Sequence, residues 1–530
     1  MSTKSMRRAA AAWRNGIAIL ACAGAAGAQS FLRPTPDTTH GVHVFNDQNA
    51  TGLTAAQVEF CARRYAGTQK QTRADADRYR AVNPDFLVLH YRLGQGLGYR
   101  QTTSGCAPNG AFNQIIDGTW VQEWPGDGAV QERWFWHQNG ARALQCQWGW
   151  YLADPDDAAW RRYWAEEVQG ELASNAADGV FADSFLVPNY MGGFQPALPG
   201  LDPAFEATWS AKLGAFMDFA RARFDGAYRF VPNVGTWLTT RDATDYSRAD
   251  GVFIEGFGYD AWEQYGLEAF TTQTDRLIGL ARAGRIVIAQ SYANDTAAKR
   301  MYTLAHYLLL KGRHTFLNFE LGQAPEWWPE YDVPIGAPVA ELPPSTAGLY
   351  DAARGVHVRE YTNGRVYLNA GPAARTFALG GTFQRATPEG GGLVPANAVL
   401  PAAWRVDYAS ASSLTLAPGQ GAVVVVDPTP YELDTPIVFA GEASTISVRN
   451  ATPGTNQYFF LSRGAGSSAY PTLGVTLGLS HPRLGAIRTA DAQGRASWTF
   501  TLPATTTGGW LSFQAAEAGR ISRVARVHVH

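Results

Sequence analysis

The sequence writes one phrase twice, as Asp178-Gly-Val-Phe-Ala-Asp183-Ser and as Asp250-Gly-Val-Phe-Ile-Glu255-Gly. In each, an acidic-glycine turn enters an apolar stretch that reads as a buried strand and ends on a carboxylate. The two-residue period of a strand gives Asp183 and Glu255 the same offset, so both are predicted to emerge at one mouth and face inward. Paired carboxyl groups across a pocket suit glycosidic bond cleavage. One captures or stabilises an oxocarbenium-like centre, and its protonated partner donates to the leaving oxygen. Asp183 is expected to act as nucleophile or water-activating base and Glu255 as general acid, with environments that hold their pKa values apart.

Other predicted strand ends are also polar. Asn46, Asp47, His90, Arg92, Trp148, Asn233, Gln290, Tyr292 and Glu320 form the expected substrate-binding set, a ring suited to a carbohydrate with many hydroxyls. Glu320 is a third candidate acid, although its Glu-Leu-Gly context also reads as a turn. His90 reads equally well as a packing residue. Of Trp120, Trp124, Trp134, Trp136, Trp148 and Trp150, one or two are expected to stack on sugar rings, although each taken singly reads first as core, and Trp160 and Trp164 fit a helix core.

The elements that must position these groups come from the hydrophobic pattern. From about residue 41 to 322, short apolar strands alternate with amphipathic helices. The strand candidates are 42–46, 86–91, 143–148, 179–183, 229–233, 251–255, 285–290 and 315–319. Asp154-Pro155 is the predicted start of one helix, and others are expected over 54–66 and 297–310. Eight β/α units of this size predict an α/β fold, a (β/α)8 TIM barrel. A doubly wound sheet would need a glycine-rich dinucleotide turn after its first strand, and none is present. Insertions over 94–140 and 187–203 follow strand C-termini and are expected to wall the catalytic face.

Beyond Pro344 the strands are short, alternating and separated by Asn-Gly, Gly-Gly and Pro-Gly turns. The predicted layout is a barrel domain over 29–345, an antiparallel β-domain over 346–428 and a β-sandwich over 429–530. Residues 1–28 read as an export signal, with basic residues, a short apolar run and an Ala26-Gly27-Ala28 cleavage site. Lipid attachment at Cys22 is the lesser alternative. No stretch is long and apolar enough to be a transmembrane segment. An exported location permits a disulfide, and Cys106 with Cys146 is the preferred pair, leaving Cys61 as a buried thiol.

Several classes are excluded. Lys plus Arg total 44 against 46 Asp plus Glu, so the basic stripe that nucleic acid requires is missing. No G-x-S-x-G elbow or phosphate-binding loop occurs. Without C-x-x-C or H-x-x-x-H spacing, no metal is expected, and no cofactor either. Two rival readings stay open: a non-catalytic carbohydrate-binding or surface-adhesion protein on a barrel, and a lyase or esterase lacking an identifiable activated nucleophile.

The chain resembles hypothetical glycosyl hydrolase family 15. The matching stretches are Asp154-Pro-Asp-Asp-Ala-Ala-Trp160-Arg-Arg-Tyr-Trp164, Asp178–Ser184, Asp250–Phe257, and Trp328-Pro-Glu-Tyr-Asp-Val-Pro-Ile-Gly336. Arg359–Asn369 resembles the closing β-domain of that family, so the likeness runs over about 41–428. It implies a TIM barrel with glycosidase-like chemistry acting on carbohydrate. Acids on strands four and six are also similar to the arrangement in α-galactosidase-like barrels, where the strand-four acid is the nucleophile.

Overall fold

The computed structural model describes residues 31–50, 52–98, 106, 114–116, 120–122, 130–239, 241–260, 263–319, 322, 324–506 and 508–530. The predicted signal with Cys22, Glu320 and Trp124 lie outside the described residues, as does the Trp120 side chain.

Eight parallel strands form the barrel: β1 (Val44–Gln48), β2 (Tyr65–Gln69), β3 (Leu87–Leu93), β4 (Gly179–Asp183), β5 (Arg229–Pro232), β6 (Gly251–Glu255), β7 (Ile286–Gln290) and β8 (Thr315–Asn318). Hydrogen-bonded neighbours run β5-β4-β3-β2-β1-β8-β7-β6. A parallel Asn233–Phe253 bridge joins the two ends, with Val234 N donating to Phe253 O at 3.0 Å. The ring is thereby nearly closed.

Among the described residues, six α-helices cover it: α1 (Ala55–Arg64), α2 (Arg73–Val82), α3 (Ala158–Ser174), α4 (Pro203–Phe224), α5 (Leu267–Arg282) and α6 (Ala297–Leu310). Their starts follow capping chemistry. Thr54 and Gln57 form a reciprocal capping box on α1, and Asp202 caps α4 with Pro203 at the first helical position. Helix α3 starts later than its sequence suggests. Asp157, not Asp154, accepts from Ala159 N and Trp160 N, so Pro155 lies before the helix. Trp160, Trp164 and Val168 then bury one face of α3 completely.

Two strand assignments need correction. Residues 65–69 form β2, which the hydrophobic pattern missed because Tyr65-Ala-Gly-Thr-Gln follows α1 directly and is only weakly apolar. Residues 143–148 are not a barrel strand. Leu144–Gln145 belongs to an antiparallel sheet in the order Phe194–Gln195, Leu144–Gln145, Trp150–Leu152, Gly96–Gly98. That sheet knits the insertion after β3 to the one after β4. A Cys106–Cys146 disulfide, with Cα atoms 4.5 Å apart, lies in the first insertion. Cys61 is a buried free thiol.

A six-stranded antiparallel sheet follows, including Val356–Tyr361, Gly364–Asn369, Arg375–Glu389, Arg405–Leu416 and Gln420–Val425. Gly380-Gly381 is a bulge rather than the expected turn, since the register shifts between Ala378 and Phe383 and the strand runs on. The sheet packs on α6. Arg359 Nη1 donates to Leu308 O, Leu309 O and Lys311 O at 3.2, 3.1 and 2.7 Å, gathering the carbonyls at the C-terminal end of the helix. Val366, Leu368, Val423 and Val425 are continuous with the barrel's outer core. The last hundred residues instead enclose their own core, with Leu433, Ile446, Phe459 and Phe513 between two antiparallel sheets. Among the described residues, no helix is long and apolar enough to cross a membrane.

Candidate functional site

The barrel interior is plugged by Phe45, Leu87, Leu89, Phe181, Val231, Phe253, Ile286, Ile288 and Phe316, all buried. Two residues further along each strand, the same inward face turns polar. Asp47, Gln69, Tyr91, Asp183, Asn233, Glu255, Gln290 and Asn318 form a ring, with one residue from each of β1, β2, β3, β4, β6, β7 and β8 and Asn233 just after β5. An apolar floor under a polar rim is what a two-residue period produces when strands leave a packed core at one level.

The repeated phrase has a structural cause at its other end. Asp178 accepts from the β3 backbone at Val88 N, and Asp250 accepts from β5 at Phe230 N, at 2.8 and 3.0 Å. Gly179 and Gly251 follow because the next strand approaches closely. A Cβ would lie 2.5 Å from Arg229 O at the first and 2.5 Å from Ile286 O at the second. Each phrase therefore registers its strand at the base and delivers a carboxylate to the mouth.

At the mouth, one side chain binds both acids. Asn233 Nδ2 donates to Asp183 Oδ1 at 2.8 Å and to Glu255 Oε2 at 2.7 Å. Those oxygens are therefore no more than the two bonds laid end to end apart, about 5.5 Å. Gly235 N donates to Asn233 Oδ1 at 3.0 Å, which fixes the amide with its NH2 toward the acids. Asp183 also accepts from Tyr91 OH at 2.8 Å and from Ser184 N at 2.7 Å. Ser184 has φ +54°, a left-handed conformation unusual for a residue with a Cβ, and it carries this N–H. Tyr292 OH donates to Glu255 Oε1 at 2.7 Å.

Glu255 has a raised pKa. Burial is the main cause and the nearby Asp183 charge adds to it, while Tyr292, Asn233 and Lys70 act in the opposite direction. Lys70 lies at the end of β2 with Nζ 3.5 Å from Asp47 Oδ2, and Gln69 Nε2 donates to Asp47 Oδ1. Asn318 Nδ2 donates to Gln290 Oε1, linking β8 to β7.

Of the residues expected at the site, Asp47, Asp183, Asn233, Glu255, Gln290 and Tyr292 come together. Others do not. His90 and Arg92 sit one position off the inward register, so they face α3, where Glu171 receives His90 Nε2 at 3.0 Å and Arg92 Nη1 at 2.7 Å. Asn46 is likewise on the outer face and accepts from Thr68 Oγ1 at 3.5 Å. Trp148 stands in the turn between two inserted strands and is 59% exposed. Trp134 and Trp150 are buried core residues, not free stacking surfaces. The site also contains Gln69, Lys70, Tyr91 and Asn318, which were not in the expected set. Tyr91 and Asn318 could have been found by counting two residues on from Leu89 and Phe316. Gln69 and Lys70 depended on recognising β2.

A nearly closed parallel barrel with two acids held across its C-terminal mouth is the frame of many carbohydrate-active enzymes. Residues 80–365 match the family model of hypothetical glycosyl hydrolase family 15, and the chain belongs to that family. No curated protein sequence matches it. Among solved structures it is similar to a noncanonic maltogenic alpha-amylase from Thermotoga neapolitana, 10% identical, covering 72% of this chain and 98% of that one with a TM-score of 0.34. It is also similar to Bacteroides uniformis beta-glucuronidase 2 covalently bound to cyclophellitol-6-carboxylate aziridine, 9% identical, covering 92% and 46% with a TM-score of 0.29. Both likenesses are distant.

Proposed function

We propose that this protein is an exported glycoside hydrolase that cleaves O-glycosidic bonds of an oligo- or polysaccharide with the Asp183–Glu255 pair. The observation that carries the reading is the Asn233 amide, which ties both carboxylates to one nitrogen and keeps them facing each other across the mouth. Family membership supplies the class of reaction.

The two acids take different roles. Asp183 accepts three hydrogen bonds, from Tyr91, Ser184 and Asn233, which suits an acceptor-only carboxylate aimed at the anomeric carbon. Glu255, its pKa raised by burial and by the Asp183 charge, keeps its proton to higher pH than an ordinary carboxyl, the direction a general acid needs. Asp183 attacks the anomeric carbon, and Glu255 protonates the leaving oxygen as the glycosidic bond breaks. Glu255 then removes a proton from water, which releases the sugar from Asp183 and restores both groups. The upper bound of about 5.5 Å that Asn233 sets between the two oxygens is shorter than the about 6.5–9.5 Å that leaves room for a water in inverting enzymes, which supports a retaining course.

The test is to incubate purified mature protein with a glycan panel, detect new reducing ends, and identify the first-formed anomer by proton NMR. Retention of configuration is expected, with release abolished in Asp183→Asn and Glu255→Gln. Turnover surviving in both variants would refute the pair. Product of inverted configuration would keep the acids but make Asp183 a base toward water.

A further inference from the structure

At the opposite end of the barrel, two histidines from the end of the chain meet an aspartate from near its beginning. The last strand, Ala525–His528, pairs with Trp510–Glu517, with His528 opposite Trp510. The extended backbone continues to His530, whose N–H donates to Val438 O at 2.9 Å. Strand alternation sends Val529, 1% exposed, into the sandwich core and puts His528 and His530 together on the outer face. That face meets Asp85, in the short loop between α2 and β3, where an Asn83 Oδ1 acceptor holds the Asp85 N–H at 3.1 Å.

The ligand-type atoms converge. His530 Nε2 is 2.9 Å from Asp85 Oδ2, and His528 Nδ1 is 3.7 Å from Asp85 Oδ1. One ligand atom from each of the three residues lies within 4.8 Å of the others, and among the described residues this is the one such group. Among the described residues, His528 Nδ1 is buried and has no hydrogen-bond partner, so this nitrogen faces the Asp85 carboxylate at 3.7 Å without a hydrogen bond. Bond lengths of about 2.0–2.2 Å around a tetrahedral ion put neighbouring donor atoms about 3.3 Å apart, within the spread found here. Trp510 packs on His528 and Phe439 on His530, which limits the freedom of both rings.

We infer that Asp85, His528 and His530 form a binding site for a borderline first-row divalent cation such as zinc, which staples the C-terminal sandwich to the base of the barrel. Two imidazoles and one carboxylate favour such an ion over the oxygen-seeking magnesium or calcium. A water completes the coordination. The ion lies at the end of β3 remote from Asp183, so it acts on stability and not on bond cleavage.

The experiment uses the full chain, stripped with chelator and titrated with zinc by calorimetry and by thermal unfolding. One saturable ion per chain is expected, with a raised melting temperature and tetrahedral-type visible bands when cobalt replaces zinc. His530→Ala should abolish these responses. Asp85→Asn, a near-isosteric change in a loop, should weaken zinc binding at least about tenfold without disturbing the sandwich. Absence of one-site binding by the unaltered chain overturns the assignment, as does unchanged zinc affinity in both variants. An equal response to magnesium or calcium overturns it too.

Discussion

Strands β4 and β6 are each preceded by an acid and end on one, and the two ends are satisfied by opposite chemistry. At the base, Asp178 is fully buried and bonded to Arg80 at 2.6 Å and Arg33 at 2.9 Å, and Asp250 pairs with Arg221 at 2.8 Å. At the mouth, Asp183 and Glu255 receive only neutral donors among their described hydrogen bonds, from tyrosines, a backbone N–H and the shared amide. Guanidinium partners fix a carboxylate and neutralise it. Neutral donors fix it and leave its charge or its proton available for reaction. The same residue type is thus structural at one end of a strand and suited to chemistry at the other.

This contrast can be broken within a single strand. Asp183→Asn should lower turnover by at least about a thousandfold while shifting the melting temperature by no more than a few degrees. Asp178→Asn should do the reverse, because removing one partner leaves buried arginine charge uncompensated. A stability loss of about 3–5 kcal/mol is expected in denaturant unfolding, with turnover per folded molecule unchanged. Should Asp178→Asn cost activity and not stability, the division between the two ends is wrong.

Tyr292→Phe sharpens the same comparison with a smaller effect. The hydroxyl donates to Glu255 and opposes the raised pKa, so its loss should push that pKa higher. The alkaline limb of the pH–rate profile should then move to higher pH, since a general acid works only while protonated. An unmoved or lowered limb would remove Glu255 from that role.

The smallest effect concerns stability. A carboxyl whose folded pKa is raised binds its proton more tightly when folded. Its contribution is fully present below the unfolded carboxylate value, about 4.3, and is lost as pH rises through the folded value. Glu255→Gln has no such loss. The melting temperature of the variant relative to the parent should therefore climb as pH is raised from mildly acid to neutral. A flat difference across that window would contradict the burial argument.

Much of the frame was legible. The twin phrases gave Asp183 and Glu255 because acid, glycine, apolar run and acid recur at strand length, and the alternation of strands and helices implied a barrel. Facing was harder to read. A strand buried on both sides carries apolar residues throughout, so its pattern does not say whether His90 or Tyr91 points inward. That one-residue ambiguity assigned His90, Arg92 and Asn46 to the mouth when they contact helix-side or outer-face partners. Strand β2 escaped notice because it joins α1 without a turn, and the Ala143–Trp148 stretch took its place in the count.

What the sequence determined by itself was local: which segments become strands and helices, and which strands end in a carboxylate. Tertiary structure decided the rest, namely that Asn233 reaches both acids, that Lys70 enters the same rim, and that Asp85 meets two histidines 443 and 445 positions away. The physical reason is range. Backbone period and capping act over a few residues and are written in neighbouring letters, whereas closing a barrel and docking a sandwich bring together groups whose separation along the chain encodes nothing about their separation in space.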